Sequence, residues 1–309
     1  MIIGGGGFVG KALIDHLSAE EPEISLVVVD AADPPADRPG MEWLTVDIAD
    51  REQVDAAFRR VEPELVFHLA SADRRVGLET LTRVNVFGTM HVLQALRVCQ
   101  QRRRPRVLYV SSSAVYGPAV DGQASSETGR MRPVSEYGIS KAAAELIVQR
   151  EVAVSDVEAV IVRPFNIFGP GQPSGFVCAD MVRKVVEAER AGGSESIPIR
   201  RPAARRDFVD VRDVVKAFWA VIRQGQPGGT YNVSCGRALS VQQIADALGK
   251  LSTVPISWSR KEGSASDRSD IDVQIGDHRK VLTETNWRPQ VPFEQSLRDM
   301  MVLERTQCC

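Results

Sequence analysis

The sequence predicts an α/β fold in which a doubly wound parallel sheet is followed by a smaller mixed α/β C-terminal region. Short β-branched segments alternate with helical segments through the first half, which is typical of repeated βαβ units. Two of these segments, Leu65–Phe67 and Val107–Val110, are continuous apolar runs, as expected of strands covered on both faces. After Arg163, frequent proline and glycine interrupt the periodicity, which indicates a second and less regular region.

The predicted elements follow this alternation along the chain. Strands are predicted at 24–30, 42–46, 65–69, 106–111 and 159–163, and helices at 9–19, 51–60, 81–99 and 135–154. Only three residues precede the first glycine, so the first strand is either very short or begins before the chain as given. We expect residues 1–164 to form one domain and residues 165–309 a second region, some segments of which return to the first.

The composition excludes several classes of protein. With 309 residues, 43% of them hydrophobic, 25% charged and a net charge of −2, the chain can fill a large core and shows no polyelectrolyte character. No apolar run approaches the roughly 18 residues of a membrane span, and the first residues lack a secretory signal. The five cysteines show no C-x-x-C spacing, which favours a reducing compartment. We therefore expect a cytoplasmic protein that uses no metal, nucleic acid or membrane.

A glycine-rich loop follows the first residues and predicts a dinucleotide site. The glycines satisfy both G-x-x-G-x-x-G and G-x-G-x-x-G, and the missing Cβ atoms let backbone N–H groups approach a pyrophosphate at the start of a helix. Asp30 ends the second strand twenty residues beyond Gly10, where an acid binds the adenosine ribose and repels the 2′-phosphate of NADP. This predicts a Rossmann-type site for NAD formed by Gly4, Gly7, Phe8, Val9, Gly10 and Asp30.

Three residues point to proton transfer coupled to hydride transfer. Ser112 follows a buried strand, while Tyr137 and Lys141 are four apart and share one helical face. A phenol has an ordinary pKa near 10, and a neighbouring ammonium together with an oxidised nicotinamide ring is expected to lower it. Tyr137 can then exchange a proton with a substrate hydroxyl that the serine holds. Such a Tyr–Lys spacing also occurs by chance, but the glycine loop and the serines favour catalysis.

Together these motifs make the chain resemble the extended short-chain dehydrogenase/reductases, the NAD-dependent epimerase/dehydratase family of nucleotide-sugar enzymes. The resemblance implies the catalytic set Ser112, Tyr137 and Lys141, and it leaves His68 as a core histidine. It implies further cofactor contacts from Asp47, Ile48, Leu69, Ala70, Ser71, Asn85 and Pro164, in addition to Tyr137 and Lys141. It implies substrate contacts from Ser113, Asn166, Phe176, Val177, Arg206, Lys261 and Arg268.

The C-terminal half is most similar to the GDP-4-keto-6-deoxy-D-mannose reductases. In the 4,6-dehydratases a glutamate stands two positions before the residue equivalent to Tyr116, whereas this chain has Ala114, which cannot transfer a proton. We therefore expect NAD(H)-dependent reduction of a nucleotide-linked 4-keto-6-deoxy sugar, with GDP favoured. A 4-epimerase with tightly bound NAD would use the same residues and stays an alternative.

Two further expectations complete the prediction from sequence. A non-catalytic dinucleotide sensor is a third hypothesis, which the intact serine, tyrosine and lysine disfavour. The resemblance also implies a homodimer, formed through the helices near 85–99 and 135–154.

Overall fold

Thirteen strands occur in a computed structural model, which describes residues 1–35, 41–99, 105–155, 157–193, 196–260 and 271–307. They are, in chain order, β1 (Ile2–Ile3), β2 (Val27–Asp30), β3 (Glu42–Thr45), β4 (Leu65–His68), β5 (Arg106–Val110), β6 (Glu158–Pro164), β7 (Asn166–Phe168), β8 (Ser196–Ile199), β9 (Arg205–Asp210), β10 (Thr230–Val233), β11 (Ala238–Ser240), β12 (Ser257–Arg260) and β13 (Val273–Gln274).

Seven strands form one parallel sheet in the order β10-β6-β5-β4-β1-β2-β3. Although β1 has two residues, it is paired on both sides: Ile2 lies opposite Val28 and Phe67. The order of the strands reverses beside β1, and ligands bind at such a switch point, beyond the carboxyl ends of the strands. The predicted Rossmann-type fold class is confirmed. The edge strand β10 comes from the second half of the chain.

Helices cover both faces of this sheet. They are, in chain order, α1 (Phe8–Glu20), α2 (Arg51–Val61), α3 (Leu78–Leu81), α4 (Gly88–Cys99), α5 (Glu136–Ser155), α6 (Val177–Arg190), α7 (Val211–Gln224), α8 (Val241–Leu251), α9 (Arg279–Thr285) and α10 (Phe293–Gln307). One face buries α1 and α7 through residues such as Leu13, Leu17 and Phe218. The other face buries α2, α4 and α5. None of the helices within the described ranges is long and apolar enough to cross a membrane.

The C-terminal half contributes a smaller layer of mixed sheet and helix. β9 is central to it, since β11 pairs with it antiparallel while β13 and β7 pair with it in parallel. β8 and β12 form a separate parallel pair. Helices α6, α8 and α10 pack around Phe168, Phe208 and Phe293, whose rings contact one another. The division of the chain at residue 164 stays a prediction.

The predicted helix over 81–99 is continuous in the structure, but it changes from α to π geometry over its first turns. Residues Thr82–Phe87 form a π-helical turn between α3 and α4. The hydroxyl of Thr89 donates to the Asn85 carbonyl at 2.6 Å, and Gly88 lies so close to Ile48 that a Cβ atom would approach its Cδ1 to 2.6 Å. π turns of this kind are common at functional sites, and this one aims the side chain of Asn85 inward.

Candidate active site

The glycine loop turns tightly at the carboxyl ends of β1, β2 and β4. Gly4 has φ +87°, and a Cβ atom there would lie 2.6 Å from the backbone nitrogen of Ala70. A Cβ atom on Gly10 would lie 2.4 Å from the Gly4 carbonyl oxygen. Packing within the protein therefore requires glycine at both positions.

Packing within the protein does not require glycine at position 7. The φ of Gly7 is −73°, and the nearest atom to a Cβ placed there is the Gly4 carbonyl oxygen at 3.5 Å. Gly7 is also the N-cap of α1, and no side chain caps that end of the helix. The first N–H groups of α1 are thus available to an anion, and the space in front of Gly7 suits a close phosphate. The loop fits a dinucleotide pyrophosphate.

Asp30 is fixed beside this loop at the end of β2. Its carboxylate accepts from the Gly6 nitrogen at 2.8 Å and from the Ala32 nitrogen at 3.0 Å. These two bonds orient the carboxylate next to the loop, where the sequence predicts contact with an adenosine ribose. Among the other predicted cofactor residues, Leu69 and Ala70 both donate their nitrogens to the Ile3 carbonyl, which holds the segment after β4 against the loop.

Four further predicted cofactor residues lie around the same edge of the sheet. Asp47 accepts from its own loop at the Ala49 nitrogen, 2.9 Å away, while Ile48 is buried. Pro164 ends β6 opposite Val233. Asn85 uses its whole amide within the protein, since Oδ1 accepts from the Ser71 hydroxyl and Nδ2 donates to the Ser140 hydroxyl. The structure thus shows Asn85 positioning the segment after β4 against α5. Its direct contact with a cofactor stays a prediction.

Tyr137 and Ser112 are brought together as the sequence predicts. The Tyr137 hydroxyl lies near the side chains of Ser112 and Ser71, both of which act to lower its pKa. Ser112 is fixed in turn, because its Oγ accepts from the Ala114 nitrogen at 3.1 Å. The position of Ser71 next to Tyr137 was not predicted, since the resemblance implies that Ser71 contacts the cofactor. It could have been predicted from the fact that Ser71 follows β4, the parallel strand beside β5.

The sequence predicts a lowered pKa for Tyr137, but the groups of the chain alone do not produce it. Burial around the hydroxyl raises the pKa of Tyr137, and it outweighs Ser71, Ser112 and Arg74, which lower it. Lys141 is 2% exposed, and its Nζ lies 4.7 Å from the centroid of the Tyr109 ring. Burial lowers the pKa of Lys141 to about 7, against a smaller opposite effect of Glu145. The phenol is therefore protonated at neutral pH, whereas the lysine is close to its titration midpoint.

A buried ion pair anchors the helix that carries both residues. Glu145 lies one turn after Lys141 and accepts from Arg163 of β6 through both Nε and Nη2. Glu145 also accepts from the Ser111 hydroxyl at 2.7 Å. Arg163 donates further to the Tyr116 hydroxyl, which donates to Asn232 on β10, both at 2.7 Å. Helix α5 is thereby tied to three adjacent strands of the sheet.

The predicted substrate residues differ in how the protein holds them. Asn166 donates its amide to the Asp207 carbonyl at 2.9 Å and to Gln274 at 3.3 Å, while Gln274 donates to the carbonyl of Ser113 at 3.1 Å. Gln274, 5% exposed, thus connects two predicted substrate residues. No local motif singled it out for this role. Phe176 and Val177 start α6 and are 37% and 36% exposed.

The remaining predicted anion-binding residues fall into two groups. Arg206 lies on β9, where its Nη1 donates to the Arg205 carbonyl at 3.0 Å and to the Asp272 carbonyl at 3.4 Å. Lys261 and Arg268 lie outside the described residues. The roles of all three in binding substrate stay predictions.

Comparison with known proteins decides the family. Residues 1–234 match the model of the NAD dependent epimerase/dehydratase family. The chain belongs to this family. It is an enzyme of the extended short-chain dehydrogenase/reductase type, and its cofactor is NAD.

Individual relatives differ in the reaction that they catalyse. The chain is 27% identical to a GDP-6-deoxy-D-mannose reductase of Pseudomonas aeruginosa, over 97% of this chain and 95% of the relative. It is 29% identical to a dTDP-D-glucose 4,6-dehydratase of Mus musculus, over 96% and 86%. The fold is shared with a Thermus thermophilus UDP-glucose 4-epimerase solved with NAD, with a TM-score of 0.85, 24% identity and coverage of 98% of both chains.

The space in front of Gly7 gives a first prediction. Gly7→Ala should weaken NAD binding about tenfold or more, because the added methyl group occupies the position of a close phosphate. Its free energy of unfolding should change by no more than about 1 kcal/mol, the size of an N-cap effect. Calorimetric titration with NAD and urea denaturation measure the two quantities. Gly10→Ala is the control and should lose stability; unchanged NAD affinity in Gly7→Ala would refute the assignment.

The buried lysine gives a second prediction, on stability. The unfolded chain binds more protons than the folded one between pH 7 and the ordinary lysine pKa, so burial of Lys141 costs most at low pH. Lys141→Met should therefore raise the free energy of unfolding by roughly 1–3 kcal/mol at pH 6, and the gain should shrink towards pH 10. Exposed Lys184→Met is the control. A Lys141→Met protein that is less stable than the parent at every pH contradicts this account.

Proposed function

We propose that the protein uses NADH to reduce the 4-keto group of a nucleotide-linked 4-keto-6-deoxy sugar, with GDP as the favoured nucleotide. The observation that carries the proposal is the Tyr137 hydroxyl, which lies near Ser112 and Ser71 at the carboxyl edge of the sheet and is protonated at neutral pH. A protonated phenol is ready to donate, as reduction of a ketone requires. The similarity to a GDP-6-deoxy-D-mannose reductase over nearly the whole chain supports the same substrate class.

The proposed mechanism assigns one task to each residue. NADH supplies the hydride when it is bound. The Ser112 hydroxyl holds the substrate oxygen next to Tyr137, and Tyr137 gives its proton to that oxygen as the carbonyl becomes an alcohol. Protonated Lys141 adds a positive charge on the same helical face.

Two other reactions of the family are less well supported. A dTDP-glucose dehydratase is as similar in sequence as the reductase, but Ala114 offers no acid for elimination of water. A 4-epimerase would need Tyr137 first as a base, to remove a proton from a sugar hydroxyl, and burial disfavours the phenolate. The epimerase stays the second candidate, because it uses every residue of the proposed site.

A single-turnover experiment separates these reactions and gives a third prediction. With a GDP-4-keto-6-deoxy sugar, we expect one NADH consumed for each sugar reduced, and Tyr137→Phe should lower the rate at least a hundredfold. Tyr137→Phe should keep the melting temperature of the parent, which separates loss of chemistry from loss of folding. Interconversion of 4-epimers without net change in NADH would establish the epimerase instead. Absence of any conversion would support the dinucleotide sensor.

We also propose a homodimer and a cytoplasmic location. Helices α4 and α5 expose Val98, Leu146 and Val154, which are each more than half exposed. Apolar side chains in such a cluster are typical of a contact surface between subunits. Among the described residues Cys178 and Cys235 are free thiols, which suits a reducing compartment.

The dimer is a fourth prediction. Sedimentation should give about twice the mass of the 33.9 kDa chain, and Leu146→Arg should shift it to the monomer. Val302→Arg, on the exposed side of α10, is the control and should leave the mass unchanged. A parent of monomer mass at micromolar concentration overturns the dimer without bearing on catalysis.

A further inference from the structure

One arginine crosses from the nucleotide-binding half of the molecule to the C-terminal half. Arg74 lies in the segment between β4 and α3, beyond the carboxyl end of the sheet. Its Nη2 donates to the carbonyl of Gly175 at 2.7 Å, and its guanidinium carbon lies 4.5 Å from the centroid of the Phe176 ring. These contacts connect residues about a hundred positions apart, directly before the first turn of α6.

The guanidinium is also electrostatically coupled to the reacting group. Its positive charge acts on the Tyr137 hydroxyl, the proton donor of the proposed reduction. Arg74 therefore links Phe176, which the resemblance assigns to substrate, electrostatically to Tyr137, where the sugar is expected. A ligand that reaches from Tyr137 to the start of α6 would come within range of this guanidinium.

The hydrogen bonds of the neighbouring carboxylates go to other groups, although the charge of Arg74 also acts on Asp73. Asp73 forms an ion pair with Arg75 at 2.5 Å, and the Asp180 carboxylate accepts from the Gly175 nitrogen at 2.8 Å. Within the described ranges Arg74 has no ion-pair partner, and the Gly175 carbonyl takes one of its five N–H donors. Stacking on Phe176 fixes the plane of the guanidinium, so less side-chain entropy is lost when a ligand binds.

We propose that Arg74 is a substrate-recognition residue that binds an anionic oxygen of the nucleotide sugar. This inference rests on the proposed substrate class. Two groups of such a ligand carry the required chemistry: the diphosphate, present in every nucleotide sugar, and a carboxylate on the sugar ring, present in hexuronates. A planar guanidinium binds two oxygens of either group at once.

Arg74→Ala tests this proposal, with Arg75→Ala as the matched control. The two residues are neighbours with the same charge, but Arg75 is neutralised by Asp73. Binding of GDP, GDP-mannose, UDP-glucose and UDP-glucuronate is measured by calorimetry with NAD present. Arg74→Ala should weaken binding about tenfold to a hundredfold, the loss expected of a charge-assisted contact, while Arg75→Ala should change it less than about twofold. Arg74→Lys should recover part of the affinity.

The ligand panel distinguishes the two anionic groups. Equal loss for GDP and for its sugar conjugate identifies the diphosphate, whereas loss confined to UDP-glucuronate identifies the carboxylate. NAD affinity and melting temperature should match the parent in both variants, which excludes a general loss of structure. In turnover, KM should rise with kcat changed much less.

Each remaining outcome has a definite meaning. If Arg74→Ala and Arg75→Ala bind every ligand equally, the recognition role is wrong. If the parent binds these ligands but converts none of the keto sugars tested, the proposed function fails and the binding comparison still decides on Arg74. If the parent binds none of them, both proposals are overturned.

Discussion

The arrangement of the site depends on one buried ion pair, between Glu145 and Arg163. The two side chains are 0% and 3% exposed, so removing either would leave the other as an unpaired buried charge, at a cost of about 3–5 kcal/mol. Glu145 lies one helical turn after Lys141, while Arg163 is the second-last residue of β6. The pair therefore ties α5 to the carboxyl half of β6. This contact in turn helps to position the Tyr137 hydroxyl near Ser112.

The proposed chemistry requires burial of groups that water would stabilise better. Tyr137 and Lys141 both titrate away from their ordinary values, each in the direction of its neutral form. Such shifts are common at functional sites, where a group is matched to its task at the expense of stability. Because the Tyr137 phenol stays neutral, its ability to donate a proton does not change across neutral pH. The lysine is different, because it changes charge near neutrality, and the site therefore gains or loses a cation within the physiological range.

Much of the fold and part of the site follow from local sequence. The glycine loop, Asp30, Ser112 and Tyr137 could be predicted because each belongs to a short motif whose spacing already implies its geometry. The π turn at Asn85 could not, because no local pattern marks it, and Gly88 at its end packs against Ile48, a residue far away along the chain. The contacts made by Gln274 and Arg74 join segments about 160 and about 100 positions apart, and neither has a local pattern. The upward effect of burial on the Tyr137 pKa could not be predicted for a related reason, since burial depends on the whole fold.

The edge strand β10 makes the two halves of the chain inseparable. Residues 230–233 complete the sheet of the first half, and Asn232 bonds into the network of Tyr116 and Arg163. A fragment that ends near residue 164 would leave β6 with an unpaired edge and its polar network incomplete. Exchange of substrate regions between relatives by a single crossover at that point would transfer a piece of the neighbouring sheet as well. Diversification in this architecture is thus expected to proceed by substitution within loops rather than by swapping modules.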